Sequence, residues 1–170
     1  INTAGFLQSK SQETGQQSSK QVSDRVQEVA TVGNVSTNDK VNIVNVTVTQ
    51  APGAGEIDIQ NTTVTWIGPE GTYQLTSTTQ NVSEVGTGGP KQIPDEKFSY
   101  MTVKDSDGSD NVLNDADDRT NLVFYLNSIS GSELSEGSEV TIKINTMAGA
   151  TTSIRFTVPE SLGGKEAVEL

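Results

Sequence analysis

The 170 residues contain no cysteine and no histidine. Without thiols there are no disulfides, thiolate metal sites or cysteine nucleophiles. Without imidazole the commonest general base and metal ligand at neutral pH is missing. Catalysis would have to rest on carboxylates, lysines, tyrosines or hydroxyls. Aromatic side chains are scarce, with one Trp, three Tyr and four Phe. That is a poor supply for the sugar-stacking platforms that accompany paired catalytic carboxylates. No glycine-rich phosphate loop, nucleophile elbow or H-E-x-x-H motif occurs in the chain. Basic residues number 11 against 22 acidic, for a formal net charge of −11. Nucleic acid and anionic membrane surfaces both require the opposite balance. No apolar run reaches the ~18 residues that read as a bilayer span, and no signal peptide is visible. Together these absences point away from an enzyme.

The residues that are abundant favour strands. There are 18 Val, 10 Ile and 21 Thr against only 8 Leu, and β-branched side chains suit a pleated surface. Val44, Val46 and Val48 alternate with Asn45, Thr47 and Thr49 within 41–50, and Val64 and Trp66 share a face within 56–67. Further strands are predicted over 73–76 after the turn GPEG, and over 98–103, 140–146 and 153–158, the last two joined by a MAGA hairpin. The continuous run LVFYL at 122–126 reads as a central strand covered on both faces. Trp66, flanked by Thr65 and Ile67, reads as core. The expectation is a mainly β chain: an antiparallel immunoglobulin-like β-sandwich over 31–170, preceded by an extended N-terminal α-helix segment over 1–30.

That helix has an unusual composition. Phe6 and Leu7 lie at one end, and Val22, Val26 and Val29 recur at helical spacing at the other, with no large apolar side chain from Gln8 to Gln21. A helix polar all round does not hold itself against its own domain; it extends, packs on a partner or frays. Lys10, Lys20 and Arg25 balance Glu13, Asp24 and Glu28, so the whole acidic excess falls in 31–170. The abrupt start at Ile1, with neither Met nor an N-cap, reads as the tail end of a longer helix whose apolar front is missing.

Two motif types bear on chemistry. Four N-x-[ST] sequons occur, at Asn34, Asn45, Asn61 and Asn81, and each is either an N-glycosylation acceptor or an ordinary hydrogen-bonding surface asparagine. Asn45 falls on the polar face of its strand, whereas Asn34 and Asn81 are expected in polar loops. The second motif packs six aspartates into the fourteen residues 105–118. Within it, Asp105, Asp107 and Asp110 around Gly108 resemble a calcium loop, since hard oxygen ligands suit Ca²⁺. The glycine stands at the fourth place instead of the sixth and no bidentate Glu closes the loop. The other reading is a solvated turn that uses Asp and Gly for their backbone tolerance. Calcium is thus a candidate ligand, and no cofactor is required.

INTAGFLQSK at 1–10 and TGQQSSKQVSDRVQEV at 14–29 are similar to the stretch that follows the hydrophobic segment of archaeal flagellins (archaellins). VNIVNVTVTQAPGAGEIDI, TVTWIGPEG, the DADDR turn and the ending VPESLGGKEAVEL extend the resemblance to haloarchaeal archaellins over essentially the whole chain. The resemblance implies a structural subunit of the archaellum, an extracellular motility filament. In that family a pilin-like hydrophobic N-terminal helix forms the filament core, and a β-sandwich carrying N-linked glycans forms the outer surface. It implies a homopolymer, or a mixture with sister archaellins, in a helical filament. Phe6 and Leu7 would then lie at subunit contacts, with no nucleic acid and, in the mature filament, no membrane as partner. The alternative is a cell-surface adhesion or surface-layer domain binding glycans or partner cells.

Overall fold

The computed structural model describes residues 24–81, 93 and 95–170. Its strands in chain order are β1 (Val26–Val35), β2 (Val41–Gln50), β3 (Ile57–Asp58), β4 (Thr63–Gly68), β5 (Gly71–Asn81), β6 (Lys97–Lys104), β7 (Val112–Leu113), β8 (Arg119–Tyr125), β9 (Glu139–Asn145), β10 (Thr151–Thr157) and β11 (Ala167–Glu169). A 3₁₀ turn (Ile59–Asn61) precedes β4, and one short helix, α1 (Leu126–Ile129), follows β8. Nine strands form one sheet in the order β10-β9-β4-β5-β6-β8-β2-β1-β11, and β3 pairs with β7.

The sheet folds over on itself. At ~4.8 Å per strand, β4 and β8 would stand about 14 Å apart in a flat sheet. The rings of Trp66 on β4 and Phe124 on β8 instead have centroids 5.5 Å apart. Phe124 also stacks against Phe98 at 5.7 Å, and Trp66 meets Phe156 of β10 edge-on at 6.4 Å. The Thr152 hydroxyl of β10 donates to the Val26 carbonyl of β1 at 2.6 Å, drawing together strands from opposite ends of the order. Offset and tilted aromatic pairs add to the ordinary gain from burying apolar area. Trp66 is core, only 1% exposed. The chain passes so close to its indole that a Cβ at Gly68 would stand 2.9 Å from Trp66 Nε1.

Alternation places the layers as the sequence predicts. Val44, Val46 and Val48 enter the core, and β8 is indeed covered on both sides. Its Leu122 and Phe124 join the main core, whereas Val123 packs with Ile43 and Ile93 in a second cluster on the opposite face. The 146–150 segment forms the predicted hairpin turn, with Gly149 at φ +86°.

Several expectations change. The part of the predicted helix that falls on residues 26–30 is the start of β1. Its register on β2 steps from Glu28 to Ala30, leaving Val29 as a bulge. A bulge inserts one residue and interrupts the alternation; Val26 is buried whereas Val29 is 52% exposed, so the spacing of three between them does not mark a shared apolar face. The rest of the helix, residues 1–23, lies outside the described residues, and with it Phe6 and Leu7. The span 56–67 is not one strand, because the 3₁₀ turn divides it. The sheet is not wholly antiparallel either: β5 and β6 run parallel. A parallel pair needs a connection of a dozen or more residues, and the chain between Asn81 and Lys97 is long enough for one.

Candidate functional site

The 105–118 loop closes on itself through its own backbone. Asp105 Oδ1 accepts from the amides of Asp107 and Gly108, each at 3.0 Å, and its Oδ2 accepts from Asp110 at 2.7 Å. Asp107 accepts from the Ser109 amide at 3.1 Å and from Asn114 Nδ2 at 2.7 Å. Hydrogen bonds from Ser109 and then Asn114 lower the Asp107 carboxyl from 3.8 to about 2, because they favour its charged form. Gly108 at φ +76° makes the turn, and Asp110 at φ +30° occupies a conformation that Asp tolerates better than most residues. Thus Asp105 and Asp107 each point into the loop's own amides, as in Asx turns. Among the described residues no three carboxylates converge to hold a metal ion.

Asp118 is the residue that anchors this loop, and sequence reading did not single it out. It is 1% exposed. Its Oδ2 accepts from the amides of Asn114 at 3.1 Å and Asp115 at 3.0 Å, and its Oδ1 from Ser106 at 3.4 Å. Its carbonyl accepts from the Thr49 hydroxyl and from Arg119 Nη1, both at 2.9 Å, tying the loop to the end of β2. The only signal in the sequence was position: Asp118 immediately precedes a strand and has three loop amides upstream within reach.

The sequons occupy unlike settings. Asn61 is exposed at the end of the 3₁₀ turn, with Nδ2 donating to Asp58 at 2.6 Å. Asn45 lies mid-sheet between Val32 and Val123, and its Oδ1 is buried without a hydrogen-bond partner. Asn34 is not in a loop; it sits in β1, aligned with Ile43 on one side and Ala167 on the other. Asn81 is the last residue of β5 and likewise not in a loop. The structure does not gather the four into one site.

One end of the fold collects the acidic loop and the chain entry. Gly55 N donates to Asp24 Oδ1 at 2.8 Å, and the Thr146 hydroxyl donates to the Asp24 carbonyl at 2.6 Å. Ile59 N donates to the Asn111 carbonyl at 2.8 Å. The segment leading into β1, the 51–56 loop, the acidic loop and the 146–150 hairpin therefore share that end. A shallow cavity of about 340 Å³ lies beside it, lined by Arg25–Glu28, Ala51 and Thr151–Ser153. It contains no pair of facing carboxylates and no nucleophile with a base.

The sequence profile described as archaeal-type flagellin matches residues 1–156. The chain belongs to the archaeal-type flagellins. Flagellin B1 of Halobacterium salinarum is 41% identical over 170 residues, covering 100% of this chain and 81% of that protein. Flagellin A2 of Haloferax volcanii is 31% identical over 185 residues, covering 100% of this flagellin and 84% of the relative. Among solved structures, the crystal structure of archaeal flagellin FlaB1 from Methanocaldococcus jannaschii superposes with a TM-score of 0.71 at 20% identity, over 85% of this chain and 95% of that one. The archaeal flagellum of Methanospirillum hungatei strain JF1 gives a TM-score of 0.65 at 16% identity, over 99% of this chain and 85% of that one. The mainly β architecture is thus a flagellin fold.

Proposed function

We propose that this flagellin works by assembly: residues preceding β1 supply the end of a filament-core helix, and the folded sheet is the immunoglobulin-like outer domain. The chain is a structural subunit of the archaellum, the extracellular motility filament, and not an enzyme. Its partners are further copies of itself or sister flagellins. The observation that carries this reading is the 41% identity to a flagellin sustained over all 170 residues. The charge-balanced, polar N-terminal stretch supports the division into core and outer parts, since such a stretch needs neighbours to pack against. Phe6 and Leu7 are the large apolar anchors within it, and they are proposed as subunit contacts. Of the four sequon asparagines, the exposed Asn61 is the foremost proposed glycan carrier.

The test is electron microscopy of cells expressing the full-length protein, labelled with an antibody to the β-fold. Label along thin helical filaments is expected. Replacing Phe6 and Leu7 with Ser should abolish those filaments while the β-fold still unfolds cooperatively; normal filaments from that variant would refute the contact assignment. Label confined to the cell envelope would favour the adhesion or surface-layer reading, which no observation supports at present.

A further inference from the structure

The outward side of β10, β9, β4 and β5 differs in chemistry from the rest of this acidic chain. Sheet register sets Gln74, Thr65, Lys143 and Ser153 side by side across the four strands. The two flanking rows add five more threonines. Among the outward positions of these strands Glu139 is the one carboxylate, and Arg155 pairs with it. With Lys143 the face sums to +1 (two basic, one acidic), so the rest of the chain, at −11 overall, carries −12.

The face is also rich in donors. Thr65 Oγ1 donates to Gln74 Oε1 at 3.1 Å, and Thr151 Oγ1 donates to Asn145 Oδ1 at 2.8 Å. Each of these amide oxygens already holds one hydrogen bond, and the amide NH₂ groups, the remaining hydroxyls and the exposed Lys143 ammonium can all donate. A surface of this kind calls for acceptors, and carboxylates are the strongest available. Threonine side chains are stiff and lose little rotamer freedom when covered.

Copies of a chain at −11 repel one another, and a contact through two acidic patches would cost several kcal/mol by like-charge juxtaposition. This face is where a second copy meets no uncompensated carboxylate. We propose that it is the surface on which a neighbouring copy docks within the filament, the neighbour presenting the carboxylates of its 105–118 loop. That loop concentrates six aspartates in fourteen residues, and Asp110 and Asp115 are exposed, as is Asp117, which pairs with Lys104 at 3.4 Å. Joining two different patches is a heterologous contact, which propagates as an open helix instead of closing into a dimer. The inference rests on the filament-subunit reading and adds to it a specific surface.

The experiment expresses the full-length protein in cells lacking other flagellins and counts filaments by electron microscopy. Lys143→Glu combined with Ser153→Glu, both at exposed positions, should reduce filaments per cell about tenfold or more through like-charge repulsion. Unfolding of the solubilised subunit should not change. Adding Asp110→Asn, which keeps a residue suited to the positive φ there, and Asp115→Lys should restore the count. The uncharged Lys143→Gln, which leaves the strand intact, should fall between wild type and the glutamate variant. Wild-type counts from the glutamate variant would overturn the proposal. Loss of filaments that the loop substitutions fail to restore would overturn the loop as the occupant. If the wild-type chain is itself absent from filaments, the filament reading fails, and the two failures are thereby separate.

Discussion

Asp118→Asn tests how the acidic loop is held. The wild-type carboxylate is buried, and it accepts two amide hydrogen bonds at 3.0 and 3.1 Å and a longer one at 3.4 Å. Hydrogen bonds to a charged group contribute ~1.5–3 kcal/mol each, so the two shorter ones set a range of about 3–6 kcal/mol. Asparagine keeps one oxygen but brings an NH₂ group against amide donors, and the freed amides regain water at the loop surface. A loss of about 3 kcal/mol is therefore expected. At ~2–4 °C per kcal/mol for a chain of this size, the midpoint should fall by about 9 °C. Thermal unfolding followed by tryptophan fluorescence reports the change, because Trp66 is the single Trp and fully in the core. Asp115→Asn is the control: its side chain is exposed, and the midpoint should stay at the wild-type value. A wild-type midpoint for Asp118→Asn, or equal losses for both variants, would refute the anchoring role.

Asp107 itself should titrate near 2 by carboxyl NMR, since hydrogen bonds from Ser109 and Asn114 hold it below 3.8. A depressed pKa means its contribution to loop order is complete above the unfolded value and lost as pH falls through about 2; an unshifted midpoint would contradict the geometry. Gly68→Ala places a Cβ 2.9 Å from Trp66 Nε1. It should cost ~1–3 kcal/mol by overpacking, and an unchanged melting temperature would show that the indole moves freely. Calcium binding by Asp105, Asp107 and Asp110 would require the first two to release amides they already hold. Any thermal shift should appear only near ~10⁻³ M, and a saturable micromolar shift abolished by Asp105→Asn would overturn that. Mass spectrometry of native filaments should find glycan on Asn61 ahead of Asn45, whose Oδ1 is buried; the reverse order would refute exposure as the deciding factor.

Much of the sheet was legible in the chain because alternation and burial are the same fact seen twice. The valines of β2, Val64 and Trp66 of β4, and the two-sided apolar run of β8 each declare which face is covered. What stayed hidden depends on events that interrupt a period. The bulge at Val29 interrupts the alternation of β1 and leaves that valine exposed, and the two-residue strand β7 is too short to show any period. The parallel pairing of β5 and β6 arises from a long crossover and not from local pattern. The acidic loop was legible as a turn but not as a structure, because the distinction between a cation site and a self-bonded loop lies in where Asp105 and Asp107 point. Asp118 looked like one aspartate of six, and only its burial separates it.

The way β1 receives the chain also has a mechanical meaning. Tension passed along the segment before Asp24 enters β1 at its end and acts along the strand axis. Nine aligned residue pairs bind β1 to β2, and β11 grips its far end through three more. The ladder hydrogen bonds lie across that axis, so such a pull shears them together instead of peeling them one by one. On the proposed division into filament core and outer domain, a strand loaded in shear resists being stripped off by drag, which is the loading that a rotating filament imposes on its surface.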